Sequence, residues 1–200
     1  MDGLGVEYTE AVGEAAFYGP KIDIQFRTAL GREESMSTIQ LDFAAKERFG
    51  LSYMDETGNE NGEVFVIHRA TLSTHERFVA FLLEQWAGNL PTWLSPVQAQ
   101  VITISEKHKE YAEHVRETLK IAGVRVKVDD SDNTIGKKIR IHRKSRPAYM
   151  LILGDDEMKG GSVSIRSRNG NQKNGVPLEQ FVSDIFAEIS NRAKDLSLVE

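Results

Sequence analysis

From Val97 to its end, the chain passes back and forth between runs of strand character and runs of helical period, and few folds accept that alternation. VQAQVITI (97–104) reads as a strand, and Ser105 caps a helix striped with Tyr111, Val115, Leu119 and Ala122 that Gly123 ends. VRVKVDD (124–130) alternates as a second strand, residues 135–145 form a basic helix, and YMLIL (149–153) is a continuous buried strand. SVSIRS (162–167) is shorter, and Pro177 opens a last helix with Leu178, Phe181, Ile185 and Ile189 on one face. Strands interleaved with helices require crossover connections, so this half is expected to be a mainly parallel, three-layer α/β domain. Arg168–Lys173 (RNGNQK) is expected to be a mobile loop.

The first half has a different pattern. Ile22, Ile24 and Phe26 alternate with Asp23, Gln25 and Arg27, the mark of a half-buried strand. Leu30-Gly31-Arg32 turns the chain, and Ile39, Leu41 and Phe43 alternate on the way back. Residues 59–63 carry turn chemistry and EVFVIH (63–68) is a third strand. Ser73-Thr74-His75-Glu76 is a capping-box pattern that starts a helix through FVAFLLEQW, stopped by Gly88 with Pro91 beyond. GNLPTWLSPVQ (88–98), with Gly and two prolines, is the linker. The fold class is therefore α+β followed by α/β, with domains at 1–90 and 97–200.

Composition narrows the function. With 200 residues, 40% hydrophobic and 28% charged, the chain is ordinary globular protein. Its longest apolar run, FVAFLL at 78–83, falls far short of a membrane helix, so no membrane partner is expected. Cysteine is absent, which excludes disulfides, Cys-based zinc knuckles and thiol nucleophiles. The acidic start, MDGLGVEYTEAVGE, lacks the basic and apolar regions of a signal peptide, and a cytoplasmic location is expected. A net charge of −5 argues against indiscriminate coating of nucleic acid, but KKIRIHRKSR (137–146) carries six Lys/Arg and no acid.

Several clusters admit chemistry. YGPKIDI (18–24) places Tyr18 and Lys21 about a Gly-Pro turn, where Lys21 is either a solvated lysine or a point charge for a carboxylate or phosphate. STIQLDF (37–43) puts Thr38, Gln40 and Asp42 on one strand face, which is either the wet side of a sheet or a pocket wall. His68 ends an apolar strand and reads as a structural histidine or a metal ligand, with no HxH, HxxxH or Cys nearby. Arg77, in the first turn of an apolar helix, is a surface residue beside Glu76 or an anion-binding fork. Phosphate-loop, dinucleotide, nucleophile-elbow and metalloprotease motifs are all missing from the sequence. The basic helix, with Arg166, Arg168 and Lys173, suits a single-stranded RNA loop or a solvated face equally well.

Taken together in order, GEAAFYGPKIDI (13–24), STIQLDF, IHRA…ERF (67–78), PTWLSPVQ (91–98), AGVRVKVDD (122–130), IGKKIR (135–140), YMLILGDDE (149–157) and VSIRSR (163–168) resemble the threonyl-tRNA synthetase family, class II. The resemblance covers nearly the whole chain and falls on the family's C-terminal part. It implies that residues 1–90 are the end of the catalytic domain, with motif 3, and that residues 97–200 are the anticodon-binding domain. It also implies the reaction: threonine is activated with ATP and Mg2+ and transferred to tRNA(Thr) by an enzyme that is a homodimer. By the same resemblance, His68 would be one of three Zn2+ ligands, with Tyr18, Lys21, Thr38 and Gln40 lining the threonine and adenylate pocket. Arg77 would neutralise ATP phosphates, and Arg77 with Lys21 would be the catalytic pair. Asp132, Glu157 and Arg166 match anticodon-reading positions, and Lys137, Lys138 and Arg140 would hold RNA phosphate.

The chain departs from the family pattern at defined places. Ser73-Thr74-His75 stands where motif 3 has Gly-Ser and a hydrophobic residue, Glu34-Ser35 replaces Trp-Gln, Asp132 replaces asparagine, and Pro147-Ala148 inverts an apolar-Pro order. Motifs 1 and 2, with the other two zinc ligands, are expected N-terminal to Met1. Two readings follow: the C-terminal part of a threonine–tRNA ligase, inactive in isolation, or a non-catalytic tRNA-binding module of synthetase type.

Overall fold

The computed structural model describes residues 2–199. The chain divides into two compact units, Met1–Gln85 and Trp86–Glu200.

In the first unit, β1 (Lys21–Arg27), β2 (Glu33–Asp42) and β5 (Val66–Ala70) form an antiparallel sheet in the order β1-β2-β5. Register places Lys21 opposite Gln40 and Gln40 opposite His68, so these three lie in one row across the sheet. Side chains alternate between faces, and Ile22, Ile24, Ile39 and Ile67 fall on the other side. That apolar face is uncovered, with Ile24 59% and Ile67 65% exposed. Between β2 and β5 lie a short helix, α1 (Ala44–Phe49), and a small hairpin of β3 (Tyr53–Met54) and β4 (Glu60–Asn61). The third strand starts at Val66 rather than Glu63, because Glu63 N–H is held by the Asn61 side chain in a turn. The following helix, α2 (His75–Gln85), ends three residues before Gly88, and Phe81 on it packs edge-on against Phe26 at 5.4 Å.

The second unit is a five-stranded sheet in the order β10-β9-β8-β6-β7. Its strands are β6 (Ala99–Thr103), β7 (Val126–Asp129), β8 (Tyr149–Leu153), β9 (Ser162–Ser167) and β10 (Gln172–Pro177). β6 runs parallel to β7 and β8, while β9 and β10 extend the sheet antiparallel. Helices α3 (Lys109–Ile121) and α6 (Leu178–Ser190) cover the face built from Val101, Leu151 and Ile165, giving one continuous core through Val115, Leu119, Phe181 and Ile185. On the opposite face, beside Met150, lies α4 (Ile135–Ser145). A further short helix, α5 (Asp155–Gly160), joins β8 to β9. The expected loop at 168–173 is instead a turn at Arg168-Asn169, closed by Gly170 N–H on Ser167 O (3.0 Å), followed by the start of β10.

Polar groups tie this unit together from within. Glu188 on α6 is buried and accepts from the Thr92 hydroxyl, Tyr149 OH (2.8 Å), Ser197 N–H (2.9 Å) and Ser197 OH (2.7 Å). One carboxylate thus joins the segment before β6, β8, α6 and the chain's last turn. Burial, then the Glu188 charge, push the Tyr149 phenol well above its ordinary value, so it stays a donor.

Candidate active-site face and nucleic-acid interface

The polar face of the β1-β2-β5 sheet brings together most of the residues expected in the first unit. Tyr18 OH donates to Gln40 Oε1 at 3.0 Å. Lys21 Nζ pairs with Asp23 Oδ2 at 2.6 Å, and Thr38 OH donates to Asp23 Oδ1 at 2.6 Å. The Lys21 hydrogen bond first, and that of Thr38 second, hold the Asp23 carboxyl below the usual carboxylate range; Asp23 in turn raises the lysine. His68 Nε2–H donates to Asp42 Oδ2 at 2.9 Å, and the imidazole sits 6.1 Å from the Tyr18 ring. Asp42 also caps α1, accepting from the N–H groups of Ala44 and Ala45, so its position is fixed by backbone. The result is a row of alternating donors and acceptors that can bind a small polar substrate bearing an amine, hydroxyl or carboxylate.

Asp23 is the residue the sequence reading passed over. Its position two residues after Lys21 on an alternating strand puts both on one face, and that signal was available.

Arg77 belongs to a different surroundings. Its backbone N–H is capped by Thr74 OH at 3.3 Å, and its guanidinium lies 3.3 Å from Glu34. Among the described residues it makes no hydrogen bond or ion pair with Tyr18, Lys21, Thr38 or Gln40. Ser73, just before α2, has φ +56°, a left-handed conformation that disfavours side chains other than glycine's. Asp42 and His68 are a hydrogen-bonded pair, and among the described residues no three His, Cys, Asp or Glu are grouped to hold a metal ion.

In the second unit the residues expected at an RNA face differ in exposure and in partners. Lys137 and Arg140 are exposed on α4, and Asp132 is exposed in the loop before it. Glu157 spends its carboxylate locally, accepting from Gly154 N–H (2.9 Å) and Ser164 OH (2.6 Å). Arg166, opposite Met150 in the ladder, touches Gln172 at 3.4 Å. Lys138 corrects the expectation. It is 1% exposed, and its ammonium donates to Thr103 O (2.9 Å), Thr103 Oγ1 (3.2 Å) and Asp129 O (3.4 Å). A buried ammonium must saturate its donors inside the protein, so Lys138 anchors α4 to the ends of β6 and β7 and does not meet phosphate. One turn along, His142 donates to Asp129 Oδ2 at 2.6 Å and reinforces the same anchor. Burial pushes the Asp129 carboxyl up, but hydrogen bonds from Ser131 and His142 outweigh it.

A family model described as an anticodon binding domain matches residues 98–188, the span from β6 to α6. Most of the second unit is therefore similar to an anticodon binding domain. The likeness extends beyond this domain: the threonine–tRNA ligase of Halalkalibacterium halodurans is 51% identical over 94% of the chain, and that of Lactobacillus acidophilus 49% over 98%. The chain spans about 30% of the length of these relatives. Among solved structures, the RNA binding domain of threonyl-tRNA synthetase from Cryptosporidium parvum aligns with TM-score 0.80 and 40% identity, over 94% of this chain and 47% of that one. Prolyl-tRNA synthetase from the same organism aligns with TM-score 0.70 at 25% identity, over 92% of this chain and 40% of its own. The similarity to threonine–tRNA ligases thus runs through both units, and the match to the anticodon binding domain model falls in the second.

Proposed function

We propose that the chain works in threonine–tRNA ligation, contributing the anticodon-recognition domain and the motif 3 wall of the catalytic domain. The observation that supports this most is identity of about 50% to threonine–tRNA ligases running through both units rather than the anticodon-binding domain alone. In this reading residues 1–90 are the end of a class II catalytic domain. Tyr18, Lys21, Thr38 and Gln40 face threonine and its adenylate, and Arg77 faces ATP phosphate. The catalytic partners are threonine, ATP with Mg2+, and tRNA(Thr), within a cytoplasmic homodimer. His68 is one zinc donor of a set that the described residues do not complete.

A second reading, a non-catalytic tRNA-binding module, is favoured by one specific contact. Glu34, on β2, sits 3.3 Å from Arg77 and neutralises the charge that ATP phosphate would meet. Threonine-dependent ATP–pyrophosphate exchange tests both. The chain alone is expected to show none. Exchange restored by adding the remainder of a threonine–tRNA ligase catalytic domain supports the first reading; binding of tRNA with no exchange under either condition supports the second.

A further inference from the structure

We propose that Arg143, Arg146 and Arg168 form a phosphate-binding cleft that takes a backbone phosphodiester of the bound RNA. The proposal rests on the reading that this domain binds tRNA, and it relocates the main phosphate contact from the exposed first turns of α4 to its last turn.

The cleft holds about 230 Å³, and its lining includes these three arginines, Asn89 and no carboxylate. Arginines crowded together without a counter-ion repel one another, and an anion between them relieves that repulsion. Burial, and after it the Arg146 charge, pull Arg168 below the ordinary arginine value, which reports this crowding from within the fold.

The site is built rather than accidental. Arg168 is locked by Leu90 O (2.8 Å), Ser95 Oγ (3.2 Å) and Pro147 O (3.4 Å) through Nη2 and Nε, and Nη1 is left for a ligand. Arg146 donates from Nη1 to Ala87 O and to Asn89 Oδ1 (3.4 Å), which leaves Nε and Nη2. It does so while capping α4 at φ +49°, a left-handed conformation unfavourable for a residue with a Cβ. Opposite, a Cβ on Gly88 would lie 2.9 Å from Arg146 Nη1, so glycine makes room for this guanidinium. Arg143, on the last turn of α4, is exposed and makes no hydrogen bond or ion pair among the described residues. Planar forks held at fixed positions suit the tetrahedral oxygens of phosphate better than flexible ammonium groups do. Because the free forks would meet phosphate oxygens and no base edge, the cleft reads charge and position and not base identity.

The test uses the full chain, a threonine-type anticodon stem-loop, an unrelated stem-loop and inorganic phosphate. Arg143→Ala removes a fork that supports nothing else, and Lys120→Ala on the α3 side is the control. Arg143→Ala is expected to weaken both stem-loops alike, by roughly three- to tenfold, and to lower the slope of log affinity against log salt by about one or less. Lys120→Ala is expected to change neither. Inorganic phosphate is expected to shift the Nε–H resonances of Arg146 and Arg168 and to compete with RNA. If the stem-loop binds but Arg143→Ala and Arg143→Glu both behave like the control, the cleft is wrong while the RNA reading stands. If phosphate shifts the arginines but no stem-loop binds, the RNA source is wrong and the reading of tRNA binding falls with it.

Discussion

The ammonium of Lys138 lies 2.9 Å from the carbonyl oxygen of Thr103, sealed from solvent beneath α4. A lysine in the middle of a basic run is thereby a structural pin. Lys138→Ala is expected to destabilise the second unit by about 1–3 kcal/mol, since the Thr103 and Asp129 carbonyls lose a charged donor inside the fold. Urea unfolding measures the loss. RNA titration of the folded variant at two salt concentrations should show an unchanged salt slope, because no phosphate contact is removed.

Glu188 is the pin on the other face. Glu188→Ala strands the Tyr149 hydroxyl, the Thr92 hydroxyl and the Ser197 N–H in a buried place. The expected cost is on the order of 3 kcal/mol, with looser protection of the last turn in hydrogen exchange. Full protection of the Ser197 and Leu198 amides in the variant would contradict the network's role.

Acid should act on a third contact. Asp155 accepts from Lys107 Nζ (2.7 Å) and His108 Nε2 (2.8 Å), and these bonds pull its carboxyl down to about 2 from an ordinary 3.8. A group lowered on folding contributes stability that is complete above its unfolded value and is lost as pH falls through the folded one. Stability is therefore expected to decline between about pH 4 and pH 2, and Asp155→Asn should flatten that part of the profile. Urea midpoints at several pH values give the comparison.

Much of the fold was legible because its signals are local. Alternation marked β1 and β2, and Gly123 marked the end of α3's extension. What was missed lacked such signals. α1 and α5 have six residues each, too few for a helical period to emerge. The start of β10 falls in the stretch 168–173 expected as loop, because Gln172 and Lys173 carry no apolar alternation; the strand is held by backbone pairing with β9. In the active-site face, the row of Lys21, Gln40 and His68 depends on strand register, which only the folded sheet reveals. Lys138 deceived for a related reason: its acceptors are carbonyls of two other strands, and sequence shows charge without showing what surrounds it. The arginine cleft joins residues brought together by the β8–β9 ladder, where Tyr149 faces Ser167 next to Arg168.

Glu34 and Arg77 carry a test of the second reading. The pair is exposed and contributes little to stability, about 0–1 kcal/mol, so Glu34→Gln should fold normally. Freed of its counter-ion, Arg77 should bind tripolyphosphate a few-fold more tightly by calorimetry, and Arg77→Ala should abolish the gain. No gain in the Glu34→Gln variant would mean that the ion pair does not silence Arg77.

The central proposal, anticodon recognition in a threonine tRNA, is tested most directly by titrating the chain with threonine-type and unrelated anticodon stem-loops. The chain with Arg166→Ala is the comparison. The account predicts tighter binding of the threonine-type loop and a loss of about 1–3 kcal/mol in Arg166→Ala for that loop only, as for a side chain reading a base edge. Equal affinity for the two loops, or an equal loss on both in Arg166→Ala, would contradict it.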